Sequence, residues 1–100
     1  MIIDVHLPND IAGYGPDLRR FFDAMVMKLH FNRHKGFADG RHPIEMCDRA
    51  GDELKELRDA LLRGSQEDVM SESADVANFA WLTALAAFRM TKEEFERGRV

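Results

Sequence analysis

The sequence predicts an all-α fold, a small bundle of three to four helices that homo-oligomerisation completes. After residue 16, apolar residues recur at intervals of three and four, and no later segment shows the alternation that a strand requires. Proline and glycine stand where such helical segments would begin and end. The 100 residues suffice for one domain, so we assign residues 1–100 to a single helical domain.

The chain is predicted to open with an extended N-terminal arm over residues 1–16. The β-branched start is short, and Pro8, Gly13 and Gly15 interrupt the residues that follow it. Pro16 suits the first turn of a helix, which we expect to continue to about Phe31. The apolar stripe of this first helix comprises Leu18, Phe21, Phe22, Met25 and Leu29.

A second helix is predicted from Pro43 to Leu62 or Arg63, where Gly64 ends it, and a loop over residues 32–42 precedes it. Gly51 within this helix indicates a close approach by a neighbouring helix, since glycine costs about 1 kcal/mol there relative to alanine. Cys47 is expected to be a small core residue. The apolar stripe expected to face the core comprises Met46, Ala50, Leu54, Leu57 and Leu61.

A third helix is predicted from Ser65, which can cap it, to about Met90, and Thr91 begins the capping-box pattern of a short fourth helix. Between Val76 and Phe88 the third helix is apolar or small on every face. Such a helix must be central, and the other helices of a short chain cannot cover all of its faces. We therefore predict a homo-oligomer, a dimer or a tetramer.

Composition narrows the classes of partner and location. The net charge of −4 argues against binding to a nucleic acid polymer. The longest charge-free run, residues 76–88, is shorter than the roughly 20 residues of a membrane span, so no membrane partner is expected. A single cysteine and the lack of a leader-like start predict a cytoplasmic protein.

A basic stretch precedes an acidic one along the chain. Between residues 18 and 38 five basic residues accompany one acidic residue, whereas residues 46–76 hold nine acidic and four basic residues. Two interpretations are open. The stretches are either the solvated faces of two helices that attract each other, or a site that binds a polyanion with one segment and a cation with the other.

Two pairs of acids have the spacing that places both carboxylates on one helix face: Glu53 with Glu56, and Glu72 with Asp75. At about 100° per residue, Glu53 and Glu72 both point toward the apolar side of their helices. A carboxylate at the edge of a core is costly unless it is paired with a basic side chain or bound to a metal. If a metal is bound, a ligand set of carboxylates alone suits Mg²⁺ or Mn²⁺, and phosphoryl chemistry on a polyphosphate becomes the expected reaction class.

The two acid pairs, with 15 residues between them, closely resemble the metal motif of the all-α nucleoside triphosphate pyrophosphohydrolases, the MazG-like superfamily. Residues 28–36, KLHFNRHKG, are similar to the segment that precedes this motif in small phage-type members. Residues 75–79, DVANF, are similar to its continuation. Together the similarities extend over about residues 20–88.

The resemblance implies Mg²⁺-dependent hydrolysis of a (deoxy)nucleoside triphosphate to the monophosphate and pyrophosphate. The expected substrate is a purine nucleotide such as dGTP or dATP. Mn²⁺ is the expected substitute for Mg²⁺. Either Glu53 or Glu56 would align the attacking water. The implied ligands of one or two metal ions are Glu53, Glu56, Glu72 and Asp75. The implied substrate contacts are Lys28, Asn32, Arg33, Lys35 and Asn78.

This chain departs from the family pattern after Gly36. Family members often carry Gly-Trp there, and we expect Phe37 to replace the tryptophan in stacking on the base. Two alternatives stay open. Similar acid pairs serve in phosphoribosyl-ATP pyrophosphohydrolase, and a non-catalytic helical oligomerisation module would use the acids only in ion pairs between helices.

Overall fold

The computed structural model describes residues 1–98, and within them it contains helices and no strand, as predicted. Two single-turn 3-10 helices, Ala12–Tyr14 and Arg33–Lys35, flank the first α-helix. The α-helices are α1 (Gly15–Phe31), α2 (Pro43–Arg63), α3 (Gln66–Phe88) and α4 (Lys92–Arg97). The N-terminal arm is shorter than predicted, because the chain turns from Pro8 onward and is helical by Ala12.

The helix ends follow from local hydrogen bonding. At the start of α3, the Ser65 hydroxyl accepts the backbone N–H of Asp68 at 3.1 Å, and the Asp68 carboxylate accepts the N–H of Ser65 at 3.0 Å. Thr91 and Glu94 form the same reciprocal pair at the start of α4. These bonds satisfy backbone donors that a helix leaves without partners in its first turn. Helix α3 ends at Phe88, two residues before the predicted end.

Helix α3 is central, as its composition predicted, because it packs against both α1 and α2. The core is small and lies where the loop before α2 meets α3. Its buried residues are Ala38, Met46, Leu82 and Ala86, with Phe37, Phe79 and Leu85 packed around them. Met46 is completely buried.

Three expectations about α2 are wrong. Cys47 is exposed rather than in the core. Among residues 1–98, no atom lies within 4 Å of a Cβ built on Gly51, so none of the helices described in this chain approaches it closely. Leu54 and Leu61 are 56% and 65% exposed. Leu54 and Leu61 are exposed because of the rotation of α2 about its axis. Leu57 and Ala60 face inward, whereas Leu54 and Leu61 lie outside the contact with α3.

Part of the apolar surface of α3 also remains uncovered within this one chain. Trp81 is 45% exposed and Phe88 is 90% exposed. None of the helices in the part of the chain that the structure describes combines the length and the hydropathy that crossing a membrane would require.

Candidate metal and phosphate site

A cleft of about 680 Å³ lies between α1, α2 and α3 and the loop that joins α1 to α2. Its acidic lining residues come from α2 and α3: Asp52, Glu53, Glu56, Glu72 and Asp75. Its basic lining residues come from α1, α2 and the loop: Lys28, Lys35, Arg41 and Arg49. The remaining lining residues are Leu29, Asn32, Phe37, Asn78, Phe79 and Leu82.

Three carboxylates converge in this cleft. One oxygen each from Glu53, Glu56 and Glu72 lies within 4.8 Å of the other two. Glu53 and Glu56 are one turn apart on α2, and Glu72 reaches the same point from the facing helix. Glu53 and Glu72 are half-buried, and each keeps one buried oxygen, Oε2, that has no hydrogen-bond partner among residues 1–98.

The fourth acid of the predicted set, Asp75, is held by a basic side chain. Its Oδ2 accepts a hydrogen bond from Lys28 Nζ at 3.0 Å, and both side chains are largely buried, with exposures of 16% and 29%. This ion pair joins α3 to α1. Asp75 therefore has the basic partner that the sequence left as an alternative to a metal, whereas no such ion pair occurs at Glu53, Glu56 or Glu72 within the described chain.

Glu53 and Glu72 have raised pKa values, because burial and neighbouring carboxyl groups disfavour their charged forms. Burial, and then the adjacent carboxyl group of Glu56, raises the pKa of Glu53 from 4.5 to about 7. Burial also raises the pKa of Glu72, with further contributions from Asp75 and Glu56 that Lys28 partly offsets. A bound divalent cation would remove this repulsion and would give the two orphaned oxygens a partner.

The raised pKa predicts a pH-dependent stability for the metal-free protein. The unfolded chain releases the Glu53 proton near pH 4.5, but the folded protein keeps it to about pH 7, so the folded state binds more protons in this window. The free energy of unfolding in EDTA should therefore fall as pH rises through the window.

Urea unfolding at several pH values measures this dependence. Glu53→Gln should reduce the pH dependence of the free energy of unfolding, because glutamine does not titrate. Glu45→Gln, in the exposed first turn of α2, should leave that dependence unchanged. Equal slopes for the wild-type protein and Glu53→Gln would contradict the prediction.

Two basic residues of the cleft, Arg41 and Arg49, were not among the predicted site residues. Arg49 precedes Glu53 by one turn of α2 and therefore lies on the same face, a relation that the spacing contained. No carboxylate of residues 1–98 forms an ion pair with it. Arg41 belongs to the irregular loop, where it donates a hydrogen bond to the Lys35 carbonyl at 3.5 Å, and no periodicity could have identified it.

The structure brings four of the five predicted substrate-binding residues to the cleft and leaves one outside. Lys28, Asn32, Lys35 and Asn78 line it, but Arg33 points away and donates a hydrogen bond to the His30 carbonyl at 2.7 Å. Asn78 also has a structural contact, since its Nδ2 donates to the Met25 carbonyl at 3.0 Å. Its Oδ1 is buried and has no partner among the described residues.

Comparisons with known proteins gave no match to this chain, whether against protein-family models, curated proteins or solved structures. Function must therefore be inferred from the residues themselves. In one cleft of an all-α fold, three carboxylates converge beside the partly buried Lys28–Asp75 ion pair. The same cleft is lined by the basic side chains of Lys35, Arg41 and Arg49, here called the basic wall.

Proposed function

We propose that this protein is a Mg²⁺-dependent nucleoside triphosphate pyrophosphohydrolase, which cleaves a (deoxy)nucleoside triphosphate to the monophosphate and pyrophosphate. The observation that carries the proposal is the convergence of Glu53, Glu56 and Glu72 in a cleft that is also lined by the basic side chains of Lys35, Arg41 and Arg49. Carboxylates without histidine or cysteine suit a hard cation, and a polyphosphate is the anion that such a cation and a basic wall bind together.

The roles of the side chains follow from their positions. Glu53, Glu56 and Glu72 would hold the metal, with Asp75 as a further ligand that Lys28 orients. Bound Mg²⁺ would neutralise phosphate oxygens and lower the pKa of water. A glutamate of α2 would align that water and take its proton as it attacks the α-phosphorus, and the bond to the oxygen bridging the α- and β-phosphorus atoms would break.

The leaving pyrophosphate is a polyanion, and the basic wall would stabilise its charge. Lys35, Arg41 and Arg49 line the same cleft as the carboxylates. In this arrangement the protein supplies position and charge, and no nucleophilic side chain is required. Purine deoxynucleotides, dGTP or dATP, are the proposed substrates, with Phe37 against the base.

Product analysis tests the proposal. The purified protein is incubated with Mg²⁺ and each of the eight common ribo- and deoxyribonucleoside triphosphates, with phosphoribosyl-ATP in a parallel reaction. Pyrophosphate release from a triphosphate supports the proposal. Release from phosphoribosyl-ATP alone would favour that pyrophosphohydrolase instead, and no release from any compound would favour a non-catalytic helical module.

Lys35→Ala tests the basic wall separately from the metal ligands. We expect a higher KM and a lower kcat/KM, because the ammonium group binds the substrate phosphates, while the Mg²⁺ concentration needed for half-maximal activity stays unchanged. Arg20→Ala, which removes an exposed cation of α1 outside the cleft, is the matched control. A changed Mg²⁺ requirement in Lys35→Ala would contradict this division of roles.

We also propose that the chain self-associates. Its accessible surface is 7939 Å², about 2,100 Å² more than a compact monomer of 11.5 kDa exposes. The radius of gyration, 15.5 Å, exceeds the roughly 13 Å of a compact chain of this length. A typical stable interface buries about 800 Å² per partner, so the excess is large enough to form one.

The surface best suited to a second copy is the apolar groove between the N-terminal arm and α1. It is lined by Ile2, Ile3, Leu18, Phe22 and Val26, among others. Phe22 and Val26 are 46% and 59% exposed, although hydrophobic side chains in adjacent turns of a helix are usually covered.

Light scattering at micromolar concentration should give at least about 23 kDa, twice the chain mass of 11.5 kDa. Phe22→Glu should lower this mass to that of a single chain, because a carboxylate would be buried in the interface. Met27→Glu, at an exposed position of the same helix outside the groove, should keep the oligomer. A wild-type mass of 11.5 kDa would rule out self-association.

A further inference from the structure

The loop over residues 36–42 has an unusual backbone and forms one side of the cleft. Gly36, Phe37 and Gly40 have positive φ values of 79°, 52° and 68°. Phe37 has a Cβ, so this conformation is disfavoured for it unless surrounding contacts hold it. Phe37 and Arg41 both line the cleft. The positions of these two side chains therefore depend on the contacts that hold the loop in this conformation.

His42 fixes the end of this loop. Its Nδ1 accepts the backbone N–H of Ile44 at 3.1 Å and so caps α2, which places the ring proton on Nε2. The opposite side of the ring meets the C-terminal part of the chain. The rings of His42 and Phe95 are parallel within 5°, with centroids 6.5 Å apart. Gly98 lies so close that a Cβ at its position would collide with the ring.

Helix α4 is peripheral in other respects. None of its residues is buried, and its ion pairs, Lys92 with Glu96 and Arg97 with Glu93, lie within the helix itself. One further ion pair, Arg89 with Asp39 at 3.6 Å, joins the end of α3 to the loop, but both side chains are exposed and such pairs contribute little. The ring of His42, which meets Phe95 and lies against Gly98, is thus a direct contact between the 36–42 loop and the α4 region.

We propose that α4 is a clasp that positions the 36–42 loop through His42, and thereby holds Phe37 and Arg41 in place to bind the polyanionic substrate. His42 and Phe95 are positioning residues, since neither is among the residues that line the cleft. The effect on substrate binding rests on the proposed function. The effect on the loop itself does not, and it can be measured without any substrate.

Amide hydrogen exchange in the ligand-free protein tests the effect on the loop. The N–H groups of Asp39 and Arg41 donate to the carbonyls of Gly36 and Ala38 at 3.0 and 3.1 Å, so their exchange rates report the loop conformation. Phe95→Ala should raise both rates by at least about tenfold while amides in the middle of α2 keep theirs. Phe88→Ala, which removes an aromatic ring that is 90% exposed, is the matched control.

A second variant guards against a general loss of structure. His42→Asn retains a side chain that caps helices well but removes the ring that meets Phe95 and Gly98. It should raise the same two exchange rates as Phe95→Ala does. Unchanged exchange rates for Asp39 and Arg41 in both variants, or equal increases in the exchange rates throughout α2, would overturn the proposal that α4 positions the loop.

Steady-state kinetics tests the consequence for substrate binding. Phe95→Ala should raise the KM for the preferred triphosphate several-fold, with kcat and the Mg²⁺ requirement unchanged, and Phe95→Tyr should restore the wild-type KM. Faster exchange with an unchanged KM in an active enzyme would overturn the positioning role. If the wild-type protein hydrolyses no triphosphate, the proposed function fails, and the exchange rates still decide whether α4 holds the loop.

Discussion

Glu56→Gln is expected to abolish pyrophosphate release while leaving the fold intact. Glutamine keeps the size and polarity of the side chain but removes the charge of one of three converging carboxylates. We expect kcat/KM to fall by more than about 100-fold, the upper end of what losing even an outer-shell partner of a metal ligand costs. Raising the Mg²⁺ concentration should recover part of the activity.

Glu45→Gln is the matched control for this experiment. Glu45 is in the first turn of the same helix, is exposed and does not line the cleft, so its substitution should leave turnover unchanged. Circular dichroism and the melting temperature check that both variants are folded. Full turnover by Glu56→Gln at ordinary Mg²⁺ concentrations would mean that the carboxylates are structural, and the helical-module alternative would then be favoured.

Mg²⁺ is expected to raise the melting temperature substantially. A ligand that binds only the folded state at 100 times its dissociation constant stabilises it by about 2.7 kcal/mol. For a domain of this size, that corresponds to a shift of roughly 10–20 °C. The positive charge of the cation would also offset the burial cost and the repulsion that raise the pKa of Glu53 and Glu72.

Differential scanning fluorimetry in EDTA and in Mg²⁺, at matched ionic strength, measures the shift. Glu56→Gln and Glu72→Gln should each reduce it, whereas Glu67→Gln, which changes an exposed acid outside the cleft, should not. The same melting temperature in EDTA and in Mg²⁺ would contradict metal binding at this site.

The helix boundaries could be predicted from sequence because local chemistry sets them. Pro43 begins α2 and Gly64 follows its last residue, as predicted. Ser65 and Thr91 cap α3 and α4 through hydrogen bonds to residues three positions later. Each of these signals acts over a few residues, so no knowledge of tertiary packing was needed.

Burial within α2 could not be predicted in the same way, because it depends on which side of the helix meets α3. The leucine stripe indicated an apolar face, yet Leu54 and Leu61 are exposed. The half-buried acid Glu53 occupies the inward side instead. A single sequence contains the apolar pattern of a helix, but it does not show which side of that helix a neighbouring helix contacts. It also does not show whether a second copy of the chain covers the remaining apolar surface.

The acidic half of the candidate site followed from spacing, and part of the basic half did not. The i, i+3 pairs placed Glu53 with Glu56 on one face, and their convergence with Glu72 occurs as the pattern indicated. Arg41 reaches the cleft from the 36–42 loop, which has positive φ values at three positions. Backbone geometry of that kind leaves no periodic signal in a sequence.

The central claim is that the cleft directs water to the α-phosphorus of a nucleoside triphosphate. Hydrolysis of the best substrate in ¹⁸O-labelled water with Mg²⁺, followed by mass spectrometry of both products, tests it most directly. The proposed mechanism predicts one ¹⁸O atom in the nucleoside monophosphate and none in pyrophosphate. Label in pyrophosphate, release of orthophosphate from the intact triphosphate, or no hydrolysis of any triphosphate would contradict it.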